Sequence, residues 1–340
     1  MRVLVAGHLC LDLFPGLDRQ PGLVEGALYP VGPLRVRCGG CVYTTGSTLA
    51  RLGVDVRLAA AVGDDELADL LVQRLRAEDL DTTQLRQVAS STSYSIVTQA
   101  PGRDRTFWHH PGANAFFDGR GLDLDGVDLL HVGYPNLLAG LCGDDGQPLV
   151  DLFARARELG CTTSLDLAVV DEGDPARTRR WRRFLERVLP LTDVVTPSVD
   201  DLSSALGWEA TAADGQLSEY AEQLLQWGAA VVLLTAGAAG LVVATAAAPR
   251  LADTGRLVAG LQGCEALRHW QPAIAVDLVH GTTGAGDVAT AAFLAGLVQG
   301  QSPVAAARAA VEEAARHVSG ADPTSRPTRT SSPHSTREIS

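Results

Sequence analysis

Short apolar runs alternate with helix-spaced stretches along most of this chain. Residues 3–6 form a continuous apolar run ending at Gly7, the pattern of a buried strand. Residues 56–62, 129–132, 162–167, 193–196 and 231–234 read the same way. Between and after them, apolar residues recur at helical spacing over 44–52, 66–75, 148–159, 178–188, from 199 onward, and over 216–226, with closing helices at about 285–299 and 303–318. The alternation predicts an α/β fold: a mostly parallel sheet with helices on both faces and ligands at the carboxyl ends of its strands. Two stretches break it. Residues 27–37 alternate like a surface strand, and 94–99 with 105–110 flank the turn Pro101-Gly102-Arg103-Asp104 as a hairpin. These predict a small separate sheet over the site. No internal repeat is visible.

The stretch 227–249 carries no charge and is long enough to span a bilayer. In its middle, however, Thr235-Ala236-Gly237-Ala238-Ala239-Gly240 is a turn signal between two β-branched runs, so two buried strands are expected instead. His8 and Asp12 interrupt the apolar N-terminus, so no signal peptide is read, and a cytoplasmic protein is expected. Beyond residue 320 the chain is rich in Ser, Thr, Pro and Arg; 321–340 is expected to be disordered.

At 340 residues the chain can bury a large core. A net charge of −12 argues against a general nucleic-acid or anionic-membrane binder. There is no lysine, and all 28 basic residues are arginine. A G-x-x-x-x-G-K-[ST] loop is therefore excluded, and any phosphate must be held by backbone amides or arginine. No G-x-G-x-x-G follows the first strand, which argues against a dinucleotide-binding oxidoreductase. The six cysteines make no disulfide framework. Cys38-Gly39-Gly40-Cys41 has metal or redox spacing, but no second such pair accompanies it.

The segment His280-Gly281-Thr282-Thr283-Gly284-Ala285-Gly286-Asp287 runs straight into an apolar helix. The first N–H groups of a helix lack intrahelical partners and lie at its positive dipole end, where bare backbone closes readily on a phosphate. A carboxylate facing that phosphate makes sense if it must take a proton from a nucleophile. Alone, the segment reads equally well as a tight loop with a first-turn acid. Other segments share its character: Asp12 five residues after Gly7, the Gly39-Gly40 pair before a helix, and His109-His110-Pro111-Gly112-Ala113-Asn114 after a strand. Each has an ordinary structural explanation, and histidines at a strand end are more often packed or exposed than ligating.

Taken together and in order, these segments resemble the ribokinase-like (PfkB) family of carbohydrate and nucleoside kinases over about residues 1–320. Residues 281–287 look like its [DG]-T-x-G-A-G-D signature, and Gly39-Gly40 through Leu52-Gly53 like its G-G-x-x-x-N-x-A signature. Val62-Gly63-Asp64-Asp65, Gly112-Ala113-Asn114-Ala115 and the Thr235-x-Gly237-x-x-Gly240 turn are similar to three further family segments. The resemblance implies a ribokinase-like three-layer α/β/α sandwich with a small β-sheet lid, and phosphoryl transfer from ATP to a sugar hydroxymethyl group. Asp287 would be the general base, and the N–H groups of Gly284, Ala285 and Gly286 the anion hole. Asp12, Gly39, Gly40, Thr44 and Asn114 would hold the sugar; Ser198, Thr235, Gly237 and Gly240 would line the ATP site. Mg2+ would bind through water, with Asp201 as its acid, and a K+ site is left open. The lid edge would allow a homodimer.

Four positions depart from the family pattern. Thr44 replaces the usual sugar-binding asparagine, Ser198 and Asp201 stand where N-x-x-E is usual, and Gly281 replaces the more frequent aspartate. A nucleoside substrate, with Phe107, Trp108 or Tyr134 stacking on the base, and a non-catalytic ligand-binding role are the alternatives.

Overall fold

The computed structural model of the chain describes residues 1–19, 24–100, 105–170, 177–210 and 214–320. The turn at 101–104 and the tail at 321–340 lie outside the described residues. The strands are β1 (Arg2–Gly7), β2 (Cys10–Gly16), β3 (Gly32–Gly39), β4 (Asp55–Val62), β5 (Asp81–Gln87), β6 (Tyr94–Thr98), β7 (Thr106–His110), β8 (Leu129–Gly133), β9 (Thr162–Asp166), β10 (Val194–Val195), β11 (Val231–Thr235), β12 (Gly240–Thr245) and β13 (Arg268–Pro272). Nine of them form one sheet in the order β13-β12-β11-β10-β9-β8-β1-β4-β5, parallel from β11 to β5, with antiparallel pairings only at β11–β12 and β12–β13. The remaining four form a separate sheet, β3-β2-β6-β7.

The helices are α1 (Cys41–Arg51), α2 (Glu66–Ala77), α3 (Ala139–Glu158), α4 (Arg177–Val188), α5 (Val199–Leu206), α6 (Asp214–Gln226), α7 (Ala248–Ala252), α8 (Arg256–Ala259), α9 (Ala285–Val298) and α10 (Pro303–Ser319). Because successive side chains of a strand point to opposite faces, each buried strand feeds two cores. Val3 and Val5 of β1 pack with residues of α1, α2, α9 and α10; Leu4 and Ala6 pack on the other face with α3, α4, α5 and α6. Val231 and Leu233 of β11 join the first core, Val232 and Leu234 the second. Both cores are continuous across the sheet, which is why the parallel strands read as unbroken apolar runs.

The uncharged stretch 227–249 holds β11 and β12, paired antiparallel from Val231–Thr245 to Thr235–Leu241. Among the described residues, no helix is long and apolar enough to cross a membrane.

Three expectations need correction. The first lid strand runs from Gly32, not 27, because Pro30 and Pro33 cannot donate to a ladder and only the latter tolerably starts an edge strand. Asp12 does not follow the first strand in a turn; it lies inside β2, paired with Arg37 on one side and Ser95 on the other. The helix expected over 148–159 begins at Ala139 and is broken by non-helical backbone at Gly143–Gly146 before Pro148 resumes it.

Candidate active site

Two helix N-termini converge on the carboxyl ends of β1 and β8. The first, α1, starts at Gly40, whose φ of 84° is open to glycine alone without strain; a Cβ there would lie 2.5 Å from the carbonyl oxygen of His8. Neighbouring Gly39 pairs with Cys10, and a Cβ on it would fall 2.2 Å from the Asp12 carboxylate. The glycine pair thus allows the β1–β2 connection, with His8 and Asp12, to close on the start of α1. The carboxylate of Asp12 accepts a hydrogen bond from Cys10 Sγ at 3.4 Å, and burial raises its pKa.

The second N-terminus is that of α9, which starts after Gly284 in the left-handed region at φ 78°. Neither helix has a side-chain cap. Every residue of α9 from Asp287 to Leu297 is buried, so the helix is apolar all round and packs between α1 and α10. Asp287 therefore sits on a rigid element. It is 4% exposed, accepts Tyr134 Oη–H at 2.8 Å on Oδ2 and Thr45 Oγ1–H at 3.3 Å on Oδ1, and its pKa is pushed up to about 7. Burial is the main cause; the two hydroxyl donors work against it, and the charges of Asp201 and Asp12 add to it. A carboxylate with its pKa near neutrality is well matched to general-base work.

The amides ahead of α9 are arranged unevenly. Ala285 N–H donates to Thr282 O at 3.1 Å, closing a turn. Open space faces Gly286, where a Cβ would meet nothing within 4 Å, and the residue is exposed. Thr44 packs beside Gly284, with Cγ2 3.1 Å from where a Cβ would stand, so the threonine borders the loop. Arg105, at the base of β7, reaches across to Thr282 Oγ1 at 2.7 Å and joins the small sheet to the loop.

Asn114 is fully buried, and its carboxamide clamps the backbone of Leu9, accepting from its N–H at 3.4 Å and donating to its O at 3.0 Å. In this arrangement it fixes the β1–β2 connection. On the other side, Ser198 caps α5 in a full capping box: its Oγ accepts from Asp201 N–H at 3.1 Å, and Asp201 Oδ2 accepts from Ser198 N–H at 2.8 Å. Ser198 also bridges Thr235 at the end of β11, so the predicted nucleotide-side residues meet. Gly237 lies in the exposed turn Gly237–Ala239, and Gly240 opens β12 so closely against β13 that a Cβ would sit 2.3 Å from Gln271 O.

Several residues here carried no local signal for the place they take beside Asp287. Asp166, at the end of β9, is buried, and burial together with the charges of Asp287 and Asp201 drives its pKa well above the usual carboxylate range. His8 is buried, held neutral with a pKa lowered to about 3, and neither ring nitrogen has a partner among the described residues. It lies 5.1 Å from the His109 ring and 5.9 Å from that of Tyr134. Tyr134 follows β8 at φ 62° and ψ 48°, a left-handed conformation costing a non-glycine residue about 1–2 kcal/mol. No spacing rule links residues so far apart in sequence.

The family model for pfkB family carbohydrate kinases matches residues 2–329. Among curated proteins, the chain is similar to a fructokinase of Rhizobium leguminosarum bv. trifolii, 24% identical over 241 residues covering 70% of this chain and 68% of the relative. The fold is that of a ribokinase of Arabidopsis thaliana complexed with ribose and ATP, at a TM-score of 0.71 and 19% identity over 93% of this chain and 92% of that one. It is shared also with a nucleoside kinase of Burkholderia thailandensis in complex with inosine, at a TM-score of 0.64, 18% identity and coverages of 93% and 91%.

Proposed function

Since the chain belongs to the pfkB family of carbohydrate kinases, we propose that it transfers the γ-phosphoryl group of ATP to a hydroxymethyl group of a sugar. One observation carries the proposal: a buried carboxylate with its pKa near 7 on the first turn of a buried, uncapped helix, facing Asp12 and the Gly39-Gly40 turn. Asp287 takes the proton of the acceptor hydroxyl onto its carboxylate as that oxygen bonds to the γ-phosphorus, while the bond from phosphorus to the β,γ-bridging oxygen breaks and ADP leaves with that electron pair. The amides of Gly284 and Gly286, with Ala285 when its turn opens, stabilise the charge on the transferring group at the positive end of α9. Asp12, Gly39, Gly40 and Thr44 orient the sugar, with Asn114 holding Leu9 behind them. Thr235, Gly237, Gly240 and Ser198 border the nucleotide.

The acidic groups near Asp287 fit a hard cation, since Asp166 and Asp201 are buried carboxylates with no salt-bridge partner among the described residues. Among the described residues no three His, Cys, Asp or Glu side chains converge to bind a metal directly, so Asp166 and Asp201 would hold Mg2+ through its water shell. When bound, it neutralises phosphate charge.

A sugar is favoured over a nucleoside by the placement of the aromatics. Tyr134 is tied to the base through its hydroxyl. Trp108 pairs with Ile96, on the face of the small sheet opposite Asp12, so Phe107 is the one of these three aromatics that shares the Asp12 face without a tie to the base. The test is ADP release across a panel of sugars and nucleosides. Turnover confined to nucleosides refutes the sugar assignment, and ATP binding with no turnover on any acceptor refutes kinase activity.

A further inference from the structure

Tyr134 combines three properties: a left-handed backbone at a non-glycine residue, a partly buried side chain in the site, and a hydroxyl that makes the shortest hydrogen bond to the base. Its N–H donates to Asp166 O at 3.2 Å, and Pro135 follows it, so the chain is held at both ends of the residue. A phenol hydroxyl donates a stronger hydrogen bond to an ionised carboxylate than to a neutral carboxyl group, and so favours the charged form. Strain held at a functional position is a pointer to use.

We propose that Tyr134 is the positioning residue of the catalytic base. Its hydroxyl pins Oδ2 of Asp287 in one orientation and favours the ionised form, while Thr45 steadies Oδ1. Each carboxylate oxygen offers two lone pairs, so this arrangement leaves room on the same oxygens for the acceptor hydroxyl. The geometry divides labour around the base: the packed interior makes Asp287 basic, and Tyr134 keeps that basicity within the range where the group is still ionised at neutral pH.

The other groups facing Asp287 are Asp12 from β2, Asp166 from β9, Asp201 from α5 and Cys41 from α1. Burial raises the pKa of Cys41. His8 and His109, beside the Tyr134 ring, both have lowered pKa values, His8 to about 3. The His8 imidazole therefore stays neutral where Asp287 titrates, and burial disfavours the charged form of His109.

The inference rests on Asp287 being the base, so the two are tested together in the full-length protein with ATP and the best acceptor from the panel. Tyr134→Phe removes one oxygen and keeps the ring. The acid limb of kcat/KM is expected to move up by about one pH unit, because a donor to the charged form is lost. Activity at pH 6.5 should fall about tenfold, and kcat at pH 9 should stay within a few-fold of wild type. Site-specific 3-fluorotyrosine at position 134, a stronger donor that leaves the packing unchanged, should move the limb the other way. A limb unmoved by either change overturns the positioning role, provided Asp287→Asn is inactive. An active Asp287→Asn instead removes the base assignment itself.

Discussion

Asp287 is a carboxylate that folding places in an apolar interior, and the same burial that raises its basicity opposes its ionisation. As a general base it works ionised, so kcat/KM is expected to rise with pH through about 7, which a pH–rate profile reads directly. Asp287→Asn should lower kcat by roughly 10²–10⁴ with little effect on ATP binding, measured by calorimetry. Stability runs the opposite way. A group whose folded pKa lies above its unfolded value of 3.8 stabilises the fold fully only below that value, and the contribution is lost as pH rises through about 7. Asp287→Asn is therefore expected to melt higher than wild type at pH 8, by about 2 kcal/mol of stability, with the gap closing below pH 4. Asp287, the proposed base, stands out in the sequence because its surroundings are local: glycines, an acid and an apolar helix in one short run. Tyr134 and Asp166 do not, because each meets Asp287 only through the folding of distant strands onto one sheet edge. His8 was seen as a polar interruption of the N-terminus, yet it packs beneath the Gly40 turn.

Helix and strand assignments followed the apolar pattern wherever an element feeds a core on both sides, as β1, β4 and β11 do. The small sheet was harder to read, because one face of it is open and its pattern correspondingly weak. In β2, Pro15 also interrupts the alternation; it is tolerated there because the pairing with β3 shifts between Phe14 and Gly16. The two glycines at the start of α1 should separate binding from folding. Gly39→Ala collides with the Asp12 carboxylate, a side chain that can swing aside, so KM for the acceptor is expected to rise about tenfold or more with a modest loss of stability. Gly40→Ala meets the backbone of His8 at a φ of 84° and has no such escape. It is expected to destabilise the fold by about 2–4 kcal/mol, read from denaturant melts. Equal effects in the two variants would show that neither glycine is chosen for its neighbour.

Across the whole molecule, the small sheet and the main body touch the same chemistry from opposite sides, and Arg105 joins them at Thr282. Arg105→Met keeps the stem and removes the charge-assisted bond, so acceptor KM should rise about tenfold while the melting temperature moves little. Steady-state kinetics and thermal melts together check this. The order of the sheet has a further consequence, for how the protein is made. β1 lies in its interior and pairs on one side with β8, so the first strand synthesised waits for residues 129–133 before its ladder is complete. Contacts of such long sequence separation form slowly. The core that β1 shares with α9 closes later still. A nascent chain that has emerged only to residue 284 carries the Asp12 side and the Thr235 turn with no base between them. The proposed base arrives with α9, and the core around it closes only when α10 follows, so the group proposed to react is among the last to be buried.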